Sequence, residues 1–237
     1  MIDGDERSAR GRYGLELAAV LALLGLFLSL MSAYDTVGAG IGSKAFLVGR
    51  MALLIGLCTL FLRRGGERWA DLGLRRPKRW WMVPLLAAFG FVLLLALTAW
   101  LRGTLFPAIG APPPPPSALA AIRGDLPQYL FYGFLVSWGS AAFGEELLLR
   151  GFVLDRLAKL FGSTSTAALL LAILVQAALF GAFHFHQGAN ALVAAAAGLV
   201  FGLIWLLGGR NLWACILLHG LVDFLTATDY YLASAPS

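Results

Sequence analysis

Residues 80–101 read WWMVPLLAAFGFVLLLALTAWL, a run without a single charge. About 20 mostly apolar residues cross the hydrocarbon core of a bilayer as a helix, so this stretch is one complete span. The residues just before it, 63–79, read RRGGERWADLGLRRPKR: seven Arg and Lys against Glu67 and Asp71, a local charge of +5. A basic segment between two apolar runs is what the positive-inside bias places in the cytoplasm, and Trp80 and Trp81 follow it as an interfacial aromatic anchor. The position of the patch between spans argues against a nucleic-acid site.

Working outward, further apolar runs cover 15–34, 45–62, 129–149, 166–184, 189–207 and 211–228. The leader MIDGDERSARGR carries three acids against three arginines and is followed by six more runs after the first, so 15–34 is expected to remain as a span rather than to be cleaved as a signal peptide. The composition agrees: 59% of the 237 residues are hydrophobic, 13% are charged and the mean hydropathy is +0.80, where a soluble domain carries nearer 25% charge. The fold expected is an all-α, multi-spanning transmembrane bundle of about 7–8 helices around a polar intramembrane cavity. Loop 63–79 in the cytoplasm puts the N-terminus there too. Residues 102–128 then face outward, with the prolines of 112–116 as a stiff spacer. They divide N-terminal helices, 1–128, from a motif-bearing core, 129–237. The alanine-rich 191–197 is expected to pack closely against another helix. Cys58 and Cys215 lie in apolar runs and read as small hydrophobes rather than a disulfide. In the first half, Glu16 is expected to reach the interface, and Arg50 to snorkel or pair.

The second half carries residues that a bilayer tolerates poorly. Within or beside its apolar runs stand Glu145, Glu146, Arg150, His184, His186, His219 and Asp223. Each ionised group at the bilayer centre costs roughly 2.5–3.5 kcal/mol on insertion scales, so these must pair or line a wet cavity. Glu146 and Arg150 are four apart and share a helix face as an ion pair. Glu145 points about 100° away, with no cation three or four residues from it on that side of the helix, and is the candidate general base. His184 ends the run QAALFGAFH one turn after Phe180. His219 and Asp223 are again four apart, a His–carboxylate pair of the kind that orients catalytic and metal-binding imidazoles. His186 reads as a rim residue. Carboxylates and imidazoles on three separate segments are the groups that water activation against an amide requires.

These three clusters resemble the signature of the CPBP family of intramembrane proteases, which includes type II CAAX prenyl endopeptidases and bacteriocin-processing and Abi-like proteins: EExxxR, then FxxxH, then HxxxN or HxxxD. Here they are Glu145-Glu146-Leu-Leu-Leu-Arg150, Phe180-Gly-Ala-Phe-His184 and His219-Gly-Leu-Val-Asp223. The resemblance spans roughly 129–228, and DLGLRRP at 71–77 looks like the basic loop ahead of that core. It implies an intramembrane endopeptidase in which Glu145 and His184 activate water and His219 and Asp223 bind the oxyanion or hold the water. Glu146, Arg150 and Phe180 would then support the site. The implied partners are a membrane-anchored protein or lipidated peptide substrate (a CAAX-type prenylprotein, a leader peptide or a C-terminal sorting anchor) and membrane lipids, in a bacterial inner membrane. No HExxH pair is present, so the reading leans away from an obligate metal; the alternative is Zn2+ on His184, His219, Glu145 and Asp223. The competing functions are a catalytically silent scaffold or immunity protein and a proton-coupled transporter, the latter disfavoured by the lack of an inverted repeat. One geometric demand remains. For Glu145 and His184 to meet, the fourth helix must run longer, about 131–159, and HFHQGAN at 184–190 must dip into the membrane.

Overall fold

A computed structural model describes residues 2–34, 41–113, 115, 117–162 and 165–233. Pro114 and Pro116 of the proline run, and residues 234–237 of the tail, lie outside the described residues. Seven long helices follow one another: α1 (Ile2–Tyr34), α2 (Ile41–Arg64), α3 (Met82–Trp100, continued by Leu101–Leu105 and Phe106–Ala108), α4 (Leu126–Leu130, Phe131–Val153 and Leu154–Leu160 end to end), α5 (Thr166–Phe183), α6 (Asn190–Leu207) and α7 (Trp213–Leu232). No strand occurs among the described residues. Through Phe131–Val153 the helix is of the wide π type, a form usually confined to single turns at functional sites.

Five stretches are long and apolar enough to cross a membrane: Ser8–Leu30, Lys44–Arg64, Met82–Ala108, Thr166–Phe183 and Asn190–Leu207. The protein is an integral membrane bundle. The two remaining helices, α4 and α7, carry two of the three polar motifs; the third, Phe180–His184, ends α5. On α3 the large residues Leu85, Phe89, Val92 and Leu95 are exposed, while Ala87, Gly90 and Leu94 are buried. The bulkier face is turned outward, as in a helix whose outer solvent is lipid and whose packed face favours small side chains.

Small residues set the close contacts. A Cβ on Gly198 would lie 2.9 Å from the Ala177 Cα, and one on Gly181 2.7 Å from the Ala195 Cβ, so α5 and α6 pack antiparallel as the alanine-rich run suggested. On α7, Gly220 lies under Trp138 of α4, while Leu218 meets Gly90 of α3. Helix α2 lies along α4, where Ser140 Oγ donates to the Leu47 carbonyl at 3.2 Å and Gly144 faces Met51.

Helix α4 begins on Asp125, whose carboxylate accepts from the Gln128 amide at 3.0 Å with Pro127 in the first turn. It continues far past 149, the end expected from hydropathy. Three charges near its end are neutralised: Asp155 pairs with Arg156 and Lys159 within the helix, and the two cations also take partners from elsewhere. Arg156 is fully buried and donates to Glu16 of α1 and to Glu67, each at 2.7 Å, while Lys159 bonds Glu67 and also lies 2.8 Å from Asp155. Glu16, expected to reach the interface, is 6% exposed and paired with Arg156 beside loop 63–79. For Glu67, burial alone would raise the carboxyl's pKa, but the Lys159 hydrogen bond and the Arg156 charge outweigh it and hold it below its usual value.

The basic segment folds back onto the bundle. The Leu212 amide donates to the Gly73 carbonyl at 3.1 Å, Asn211 Nδ2 to the Arg75 carbonyl at 2.8 Å, and Arg75 Nη2 to the Gly209 carbonyl at 3.1 Å. Gly73 has φ +110°, and a Cβ there would sit 2.7 Å from the Arg210 carbonyl oxygen, so only glycine suits that turn.

Candidate active site

Glu146 is completely buried on α4, and its Oε1 accepts two hydrogen bonds: from Arg150 Nη1 at 2.9 Å and from His219 Nδ1 of α7 at 2.7 Å. The Arg150 pairing follows from the spacing of four. The His219 contact does not, because the two residues are 73 apart in the chain. Arg150 is also fully buried. It donates weakly to the Gly198 carbonyl of α6 at 3.4 Å and lies over the rings of Phe180 and Phe201, 4.7 Å from each centroid. A guanidinium between two aromatic faces is favourably placed when desolvated. Phe201 in turn stacks on His219, with centroids 5.0 Å apart and planes 21° off parallel.

The three sequence clusters are thereby brought to one place. Phe180 touches both histidines edge-on, 4.7 Å from the His184 centroid and 6.3 Å from that of His219. Helix α5 ends at His184, after which Phe185–Gln187 form a tight turn closed by Gly188 at φ +61°. That turn is the local form of the HFHQGAN connection. His186 is exposed, and its ring stacks 6.2 Å from that of His184.

Hydrogen-bond chemistry fixes the tautomers. The Phe180 carbonyl can only accept, so His184 Nδ1, 2.7 Å from it, carries the proton. His219 Nδ1 likewise donates to Glu146. Both imidazoles therefore leave Nε2 for further chemistry. For His219 that nitrogen faces Asp223 Oδ2 at 3.5 Å, longer than a normal hydrogen bond, and the Asp223 side chain is 30% exposed. The pair expected from the spacing is adjacent, yet Glu146 rather than Asp223 holds the ring most closely.

Glu145 has no hydrogen bond among the described residues, and its charge reaches His219 and Asp223. Its own helix offers no cation on that face, but Arg50 of α2 lies within electrostatic reach, which the sequence reading did not foresee. Tyr132, three wide turns earlier on α4, is also near both Glu145 and Asp223. Sequence reasoning missed Tyr132, Phe201 and Gly198; for Gly198 the small-residue run on α6 was the available signal. No three His, Cys, Asp or Glu side chains among the described residues converge as a metal site would. The set His184, His219, Glu145 and Asp223 does not form a ligand cage in this arrangement.

A buried carboxylate, guanidinium and imidazole, with the half-buried His184 beside them, give this integral membrane helix bundle a polar site in its interior. Residues 127–225 match the family model described as type II CAAX prenyl endopeptidase Rce1-like, a protease family, and this match supports the resemblance to the CPBP proteases. No curated protein and no solved structure matches the chain.

Proposed function

We propose that the protein is an intramembrane endopeptidase that cleaves a membrane-anchored protein or lipidated peptide with a water activated by Glu145 and His184. The observation that carries this reading is His219, held through Nδ1 by the fully buried Glu146 with Nε2 turned to Asp223, in the segment that matches a protease family. A catalytic imidazole needs such an orienting partner.

In the proposed reaction Glu145 takes a proton from water as the oxygen forms a bond to the scissile carbonyl carbon. The carbonyl π electrons move to its oxygen. His184, its Nδ1 fixed on the Phe180 carbonyl, aligns or relays through Nε2. His219, as the imidazolium, keeps Nδ1–H on Glu146 and donates Nε2–H to the oxyanion, with a protonated Asp223 beside it. Collapse of the tetrahedral intermediate breaks the C–N bond, and the proton held by Glu145 passes to the leaving amine. None of these steps is routed through a metal.

Loop 63–79, the end of α4 and the α6–α7 turn gather their cations at one end of the bundle, joined by the Arg75–Gly209 and Arg156–Glu67 bonds. This supports a cytoplasmic placement of that end, and with it a cytoplasmic N-terminus in a bacterial inner membrane. The substrate is then a CAAX-type prenylprotein, a leader peptide or a C-terminal sorting anchor.

The test is co-expression with membrane-anchored reporters of these three kinds, comparing wild type with Glu145→Gln. Glutamine fills the same volume but cannot take the proton, so cleavage should fall at least ~100-fold with insertion and yield unchanged. Cleavage at a near-normal rate would remove Glu145 as the base. No cleavage of any reporter by wild type would favour a silent scaffold.

A further inference from the structure

A second cavity lies away from the site, at the end of the bundle where loop 63–79 docks. Its volume is about 290 Å³, and its walls come from that loop, the end of α4, α5, and the α6–α7 region. Leu72, Leu154, Leu169 and Trp205 give it an apolar floor, and Arg75, Lys159 and Arg210 line it with positive charge.

The charges are not equivalent. Asp71 and Asp155 also line the cleft, but Asp71 accepts from the Arg68 amide at 2.8 Å and Asp155 is paired with Arg156 and Lys159. Lys159 is further engaged by Glu67. Arg75 spends one N–H on the neutral Gly209 carbonyl, and neither Arg75 nor Arg210 has a carboxylate partner among the described residues. Two guanidinium charges are therefore left over. At the floor, the buried Trp205 indole N–H has no acceptor among the described residues.

The cleft is also preformed. Arg210 adopts φ +61°, and the turn is pinned by its amide on the Trp205 carbonyl at 2.8 Å and by the three bonds from Gly73 and Arg75 described above. Trp80 and Trp81, 71% and 58% exposed, follow the same loop and mark this end as the membrane interface.

We propose that this cleft binds the headgroup of an anionic phospholipid from the surrounding leaflet. Its phosphate lies on Arg75 and Arg210, and its glycerol end lies against Leu154, Leu169 and Trp205. Planar guanidiniums match phosphate oxygens in pairs, and basic pockets between spans on the cytoplasmic side are suited to anionic headgroups.

The experiment titrates the detergent-solubilised full chain with phosphatidylglycerol and, separately, phosphatidylcholine, counting bound lipids by native mass spectrometry. Phosphatidylglycerol should bind selectively, and excess inorganic phosphate should not displace it. Arg75→Gln and Arg210→Gly should each weaken it about fivefold, and together about thirtyfold. Glycine suits φ +61°, so Arg210→Gly keeps the fold while removing the charge, and a thermal melt checks this. The control removes two charges from the same loop but outside the cleft, Arg76→Gln with Lys78→Gln, and should cost much less. Equal weakening by that control, equal binding of both lipids, or displacement by inorganic phosphate would each overturn the proposal.

Discussion

The contact between Glu146 and His219 gives the sharpest test of how the site is built. Substituting Glu146→Leu leaves the Arg150 guanidinium, fully buried, with only the 3.4 Å bond to the Gly198 carbonyl and the faces of Phe180 and Phe201. Removing one partner of a buried ion pair costs about 3–5 kcal/mol. Arg150→Leu strands Glu146 less completely, because His219 Nδ1 stays at 2.7 Å and can share a proton with it, so its cost should fall at the lower end, about 3 kcal/mol. The double Glu146→Leu/Arg150→Leu puts hydrocarbon where both charges were, a change that is often near neutral. It should be less harmful than the two singles combined by at least ~3 kcal/mol. Activity should not follow stability. His219 loses its Nδ1 acceptor in both Glu146→Leu proteins, so the double variant should be folded yet inactive. Equilibrium unfolding in mixed micelles, followed by helical circular dichroism, gives the first quantity, and cleavage of a reporter the second. Additive destabilisation would show that the two charges are not paired. A stable double variant that cleaves normally would show that Glu146 does not position His219.

Asp223→Asn should retain substantial cleavage and extend it to higher pH, because an amide donates to an oxyanion at any pH whereas an ionised carboxylate repels it; loss of activity, with wild type inhibited by a chelator and restored by zinc, would make Asp223 a metal ligand instead. Gly198→Val should destabilise α5–α6 packing by about 1–3 kcal/mol or more, since its Cβ would meet the Ala177 backbone at 2.9 and 3.2 Å; unchanged unfolding would contradict that close approach. Glu67 contributes stability above its ordinary value of 4.5, and this is lost as pH falls through its lower folded-state value. The gap in melting temperature between wild type and Glu67→Gln should therefore be full near neutrality and close below about pH 4.5. A gap independent of pH would mean that Glu67 is not ionised in the folded protein.

What the sequence made legible was whatever depends on neighbours along one helix. Apolar run length located all seven long helices, and the spacing of four paired Glu146 with Arg150 and placed His219 beside Asp223. Contacts between helices were out of reach. Periodicity cannot show that Glu146 meets His219, that Phe201 stacks on that imidazole, or that Arg50 approaches Glu145. Hydropathy alone ended α4 at 149; the longer helix, about 131–159, followed from the need for Glu145 and His184 to meet, and the helix does run on to Leu160. Asp155, Arg156 and Lys159 look like the start of a loop until Glu16 and Glu67 arrive from other elements to pair with the two cations, which Asp155 also pairs within the helix. The pairing of Glu16 was out of reach because its partner, Arg156, stands 140 positions away.

The two long helices that are not apolar enough to span by hydropathy alone, α4 and α7, carry Glu146, Arg150 and His219, and the structure gives the reason they can still lie inside a bundle. Separately, Glu146, Arg150 and an imidazolium at His219 would each cost roughly 2.5–3.5 kcal/mol at the bilayer centre. Together, Glu146 Oε1 serves both Arg150 and His219, and Phe180 and Phe201 cover the guanidinium faces, so contacts among the same residues offset part of the desolvation, while Glu146 Oε2 and Arg150 Nε have no hydrogen-bond partner among the described residues. Glu146, Arg150 and His219 are thus needed both to let α4 and α7 associate and to fix the imidazole tautomer. Asp223, partly exposed, and Glu145, without a hydrogen bond among the described residues, stand outside that network. In the proposed reaction these are the two carboxylates that meet substrate and water, so substitutions at Glu145 and Asp223 should alter chemistry while those at Glu146 and Arg150 alter the fold as well.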